Sequence, residues 1–116
     1  MKIKRIVPNI ASAQPERAEF FYQDVLGLDL VMDLGWIRTY AAPDRREMQL
    51  GVASQGGSDT PVPDLSIEVD DLNEALQRVR DAGITVEYGP AHEPWGVHRF
   101  YIRDPFGKLI NILQHE

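Results

Sequence analysis

The chain has 116 residues, a formal net charge of −6 and no cysteine. That length suits one domain with a core of its own, and the missing thiols exclude disulfides, cysteine zinc sites and thiol catalysis. The acidic balance argues against a nucleic-acid partner, whose phosphates require a basic face.

The opening stretch MKIKRIVPNI has no long apolar run, so neither a secretory leader nor a membrane span is expected, and a cytoplasmic location is. Ile3 to Ile10 reads as a strand. Pro15 stands where a helix begins, since its missing N–H costs little there. Ala18, Phe21, Tyr22, Val25 and Leu26 follow helical spacing, and Gly27 is placed to end the helix. Leu28 to Met32, Trp36 to Ala41 and Met48 to Val52 read as strands. The stretch SQGGSDTPVP, residues 54–63, is a Gly/Ser/Pro-rich connection.

The second half repeats the order. Leu65, Ile67 and Val69 alternate with Ser66, Glu68 and Asp70, as in a half-buried strand. Asp71 and Glu74 have the spacing of a capping box. Leu72, Ala75, Leu76, Val79 and Ala82 form one helical stripe, closed by Gly83. Ile84 to Tyr88 reads as a strand, and His92 and Glu93 as loop. Val97 to Ile102 and Leu109 to Leu113 form a hairpin through Asp104-Pro105-Phe106-Gly107, because proline presets the turn and glycine accepts a positive φ. If Arg103 pairs with Lys108, then His98, Phe100, Ile102, Leu109, Asn111 and Leu113 share a face, and a slip of one residue reverses the assignment. Gly27 and Gly83 stand half a chain apart, so the plan is a duplicated α+β unit: module one at 1–53, a linker at 54–63 and module two at 64–116.

With that plan, the segments FFYQDVLGLDL and EPWGVHRFYIRDPFGKLINILQH resemble the vicinal oxygen chelate superfamily, the glyoxalase, bleomycin-resistance and extradiol-dioxygenase group. The resemblance implies two βαβββ modules whose sheets wrap around a cleft, paired in a homodimer. It also implies four strand positions that hold a metal in the family's metal enzymes. By the FY and DPxG landmarks these fall on Arg5, Gln49, Asp64 and Asn111. Asp64 is the only strong ligand among them, the two amides offer neutral carbonyl oxygens, and Arg5 repels a cation.

The expected function is therefore metal-independent binding of a small organic ligand, cationic or aromatic in character, with no cofactor. Bleomycin-resistance proteins of the superfamily act by such sequestration, which makes antibiotic resistance one form of this expectation. The expected ligand-binding set is Arg5, Gln49, Asp64, Trp95, His98, Phe100 and Asn111. The alternative is a lyase, isomerase or dioxygenase that uses a divalent metal or a base, for which Glu68 and His98 are the candidates. Each residue also has a plainer explanation: Glu68 as an exposed residue or the partner of Arg99 or Arg103, His98 as an ordinary strand histidine, Trp95 as a wedge pinning its loop. His92 and His115 lack ligand spacing with a second histidine. Trp36, Arg38 and Tyr40 share a strand face that either lines the cleft or packs between modules. No phosphate loop, nucleophile elbow or HExxH motif is present.

Overall fold

The computed structural model describes residues 1–116. The fold is mixed α+β, with eight strands and one α-helix. It divides into two compact units. The N-terminal unit is Val7–Val62; the C-terminal unit is Pro63–Glu116 together with Met1–Ile6. The first strand, β1 (Ile3–Ala11), contributes to both.

In the N-terminal unit the strand order is β2 (Asp29–Asp33), β3 (Ile37–Ala42), β4 (Arg45–Ala53), β1. β4 lies parallel to β1, with Asn9 opposite Gly51, and antiparallel to β3. β4 starts three residues before the expected strand. The helix expected after Pro15 is divided: Pro15–Arg17 is a 3₁₀ turn and Glu19–Val25 is wound as a π-helix. The wide turn is visible where the Leu26 N–H reaches the Phe21 carbonyl, five residues back. Such turns are rare and often stand at functional sites. Phe21, Val25 and Leu26, despite their helical spacing, are exposed.

In the C-terminal unit the order is β1, β5 (Leu65–Val69), β8 (Leu109–His115), β7 (Val97–Arg103), β6 (Tyr88–Glu93). The helix α1 (Leu72–Asp81) covers one face. Its Leu72, Ala75 and Leu76 pack on Val69, Phe100, Ile110 and Ile112. The stripe read from the sequence faces the core from Leu72 through Val79, while Ala82 lies past the helix end and is exposed, and each large side chain buried contributes about 1.5–3 kcal/mol. Asp71 caps α1 by accepting the Glu74 N–H, as expected. Glu74 does not close the box; its carboxylate takes the N-terminal ammonium and Arg78 instead.

Two expectations require correction. Residues 84–87 are not a strand, whereas Tyr88–Glu93 is, so His92 and Glu93 belong to β6 and not to a loop. Gly89 and Pro90 hide this strand in the sequence because both read as breakers. The pairing shifts there between Tyr88 and Ala91. Gly89 holds a φ of 81°. A Cβ there would lie 2.6 Å from the Arg99 carbonyl oxygen, so the close approach of β7 requires glycine.

The second correction is register. Arg103 pairs with Leu109, not Lys108. The Asp104 carboxylate accepts the N–H groups of both Phe106 and Lys108, and Gly107 has a φ of 79°. Asp104 and Lys108 thereby close a three-residue loop with glycine in the left-handed region, one residue more than the tight turn supplies. Asn111 consequently shares its face with Arg99, Tyr101 and Leu113, while Phe100 and Ile102 turn toward α1.

Candidate functional site

The face of the C-terminal sheet opposite α1 carries a row of polar side chains. Alternation places Ser66 and Glu68 of β5 there, with Asn111 and His115 of β8, Arg99 and Tyr101 of β7, and Tyr88 and Glu93 of β6. Arg5 of β1 joins them through its 2.7 Å contact with Glu68.

Glu68 is bracketed. Arg5 Nε donates to one carboxylate oxygen and the His115 ring meets the other. It is buried, and it pairs with neither Arg99 nor Arg103. Burial alone would push its carboxyl up, but the His115 hydrogen bond and the Arg5 guanidinium hold it below the usual range. A carboxylate so held is a poor proton acceptor, which weighs against Glu68 as a general base.

Next along the row, Ser66 and Asn111 are directly paired in register. Asn111 Nδ2 donates to the Ser66 hydroxyl at 3.1 Å. Asn111 Oδ1 is buried with no partner. Such an atom loses its hydration without compensation, at a cost of about 1–3 kcal/mol.

Beyond Asn111 lies a closed ion-pair box. The Arg99 and Glu93 side chains are 3 % and 4 % exposed, so the pair is fully desolvated. Arg99 also donates to the Tyr101 hydroxyl at 2.8 Å, and Tyr88 donates to Glu93. The Arg99 guanidinium carbon lies 4.9 Å from the centres of the Trp95 and Tyr101 rings and 5.5 Å from that of Tyr88. Trp95 thus packs against Arg99.

The remaining expected residues lie elsewhere. Asp64 precedes β5 and accepts the Leu109 N–H on Oδ2 at 2.8 Å, which ties β5 to β8. By register, Ser66 and not Asp64 faces Asn111. Gln49 belongs to the N-terminal unit, where its amide donates to the Arg46 carbonyl. His98 faces the α1 side, its ring stacked on His92 with centroids 3.9 Å apart. Phe100 is fully buried in the core beneath α1. Arg38 meets Glu19 and Asp33, and Tyr40 lies against Tyr22, so this strand face turns toward the π-helical segment.

Arg99, Tyr101, Tyr88 and Glu93 escaped the sequence reading. Their signal was the alternation of Arg99 and Tyr101 about Phe100, which becomes legible only with the hairpin register in hand. No three His, Asp or Glu side chains gather into a group able to hold a metal ion.

The family model described as the Glyoxalase/Bleomycin resistance protein/Dioxygenase superfamily matches residues 2–112. A structure described as an NAD-dependent benzaldehyde dehydrogenase from Legionella pneumophila superposes with a TM-score of 0.75 at 18 % identity, covering 96 % of this chain and 99 % of that one. A superfamily member from Vibrio splendidus 12B01 gives 0.66 at 17 %, covering 97 % and 98 %. Methylmalonyl-CoA epimerase from Mycobacterium tuberculosis gives 0.67 at 20 %, covering 98 % and 87 %. At these identities the likeness is one of fold. No curated protein matches the chain in sequence.

Proposed function

Because the chain belongs to the Glyoxalase/Bleomycin resistance protein/Dioxygenase superfamily, we propose that it binds a small organic ligand on the polar face of its C-terminal sheet, without a metal. The observation that carries this reading is the unpaired acceptor Asn111 Oδ1, set among side chains whose charges are already matched. An acceptor of that kind favours a ligand that brings an N–H or O–H donor, because pairing it recovers a hydrogen bond otherwise lost. Its burial means that neighbouring side chains part to admit the donor.

Donor chemistry supports independence from metal. The register pair Ser66 and Asn111 offers a hydroxyl and an amide oxygen. Both Glu68 oxygens are taken by Arg5 and His115. Arg5 adds a fixed positive charge to the same face. Divalent transition ions prefer several imidazoles and unpaired carboxylates together, and this face supplies one imidazole, His115, already engaged with Glu68, and no unpaired carboxylate.

The test is a titration of the purified protein with a panel of small amines and amine-bearing aromatics, followed by tryptophan fluorescence, alongside elemental analysis. A saturable response is expected, weakened at least about tenfold by Asn111→Leu, with thermal stability little changed because removal of the unpaired oxygen offsets loss of the hydrogen bond to Ser66. Stoichiometric zinc, iron or manganese, or full binding by Asn111→Leu, would overturn the reading.

We also infer a homodimer. Ile3, Ile6, Phe20, Val25 and Leu26 are all exposed, with Phe20 at 70 %. Exposed apolar side chains in such number favour cover by a second copy.

A further inference from the structure

The N-terminal unit has an open surface pocket of about 320 Å³, at the lower end of the small-molecule range of roughly 300–1,000 Å³. It lies between the helical segment after β1 and the sheet. Its apolar wall is formed by Ile10 of β1, Val52 of β4 and Phe21 of the π-helical turn, with the Tyr22 ring beside them. Ser12, Gln14 and Arg17 supply its polar side.

These three present donors. The Ser12 oxygen accepts the Gln14 N–H, which leaves its own O–H to point elsewhere. Arg17 donates to the Gln14 amide oxygen at 3.4 Å, which leaves the Gln14 NH₂ as a donor. Arg5, Arg38, Arg46, Arg78, Arg99 and Arg103 each meet a carboxylate, whereas Arg17 meets a neutral amide. In a chain of charge −6, an arginine without an acidic partner at the edge of an open, mostly apolar pocket is available to bind an anion. The nearby Glu19 carboxylate leans toward Arg38, at 3.8 Å. The chain's overall negative field is screened beyond about 8 Å at physiological salt, so these local donors decide what binds.

We propose that this pocket is a second ligand site, specific for a small aromatic monocarboxylate. The ring lies against Ile10, Val52 and Phe21, and the carboxylate faces Arg17 and Ser12. It is independent of the polar face of the C-terminal sheet and takes ligands of opposite chemistry.

The test is a titration of the full, ¹⁵N-labelled chain with 2-naphthoate and, separately, with its uncharged analogue 2-naphthamide, read from backbone amide shifts. Saturable shifts are expected at Ser12, Gln14 and Val52, with naphthoate binding at least about tenfold more tightly than naphthamide. Arg17→Gln, at an exposed position, is expected to abolish that preference and leave naphthamide binding unchanged. Phe21→Ala, also exposed, is expected to weaken both probes equally. Equal affinity for the two probes, an unchanged preference in Arg17→Gln, or no saturable shift at these amides would overturn the proposal. So would shifts confined to Ser66 and Asn111, which would place the probe at the other face and leave that reading standing.

Discussion

At the scale of single residues, the polar face of the C-terminal sheet is a set of matched charges interrupted by one unmatched acceptor. Glu68 makes the matching visible as a pH dependence. Its carboxyl sits lower in the folded chain than its ordinary value of 4.5. The folded state therefore binds its proton less readily than the unfolded state does. The stabilisation this provides is fully present above pH 4.5 and is lost as the pH falls from there through the folded value. Urea unfolding at a series of pH values is expected to show this loss, and Glu68→Gln is expected to flatten it. The Arg99 and Glu93 pair behaves differently because it is sealed from water. Arg99→Met leaves a buried carboxylate unmatched, so a loss of about 3–5 kcal/mol is expected in equilibrium unfolding. Phe100 was grouped by sequence parity with the ligand residues, yet it belongs to the helix-side core. Phe100→Ala is accordingly expected to cost about 3–5 kcal/mol of stability while ligand affinity per folded molecule stays unchanged.

Among elements, the β7–β8 hairpin decides most. A turn at Asp104-Pro105-Phe106-Gly107 was legible from its residue types, and the structure has one there. Its length was not, because the Asp104 side chain gathers two N–H groups and takes one more residue into the loop. One residue of register exchanges the two faces of a strand, so the partners of Asn111 changed from Phe100 to Tyr101. The strand β6 was missed for a related reason: Gly89 and Pro90 signal a break, while tertiary contact with β7 imposes a strand on them. Gly89→Ala combines a left-handed φ with a clash against the Arg99 carbonyl. It is expected to lower stability by about 1–3 kcal/mol, measured as a shift of the urea midpoint. By contrast α1 was readable from cap to stripe, since both signals are local.

For the whole molecule, exposed apolar side chains on β1 and the π-helical segment motivate the dimer proposed above. Light scattering is expected to give twice the chain mass, and Ile6→Glu with Phe20→Glu is expected to return it to that of one chain, because a charge buried at an apolar interface is not compensated. No helix is long and apolar enough to cross a membrane. What the sequence determined by itself was the α+β class, the order of most elements, the superfamily and the absence of thiol chemistry. Composition, period and turn residues carry the class, the elements and the missing thiols, each acting over a few neighbouring positions, whereas the superfamily rests on the resemblance of two segments and on the family model that matches residues 2–112. What only the tertiary structure decided was which side chains meet: Glu68 between Arg5 and His115, Arg99 inside three aromatic rings, Asn111 with a bare oxygen, Arg17 beside a pocket. Those contacts join residues far apart in the chain or depend on strand register, and a register is set by the closed length of a turn and the packing on both faces at once.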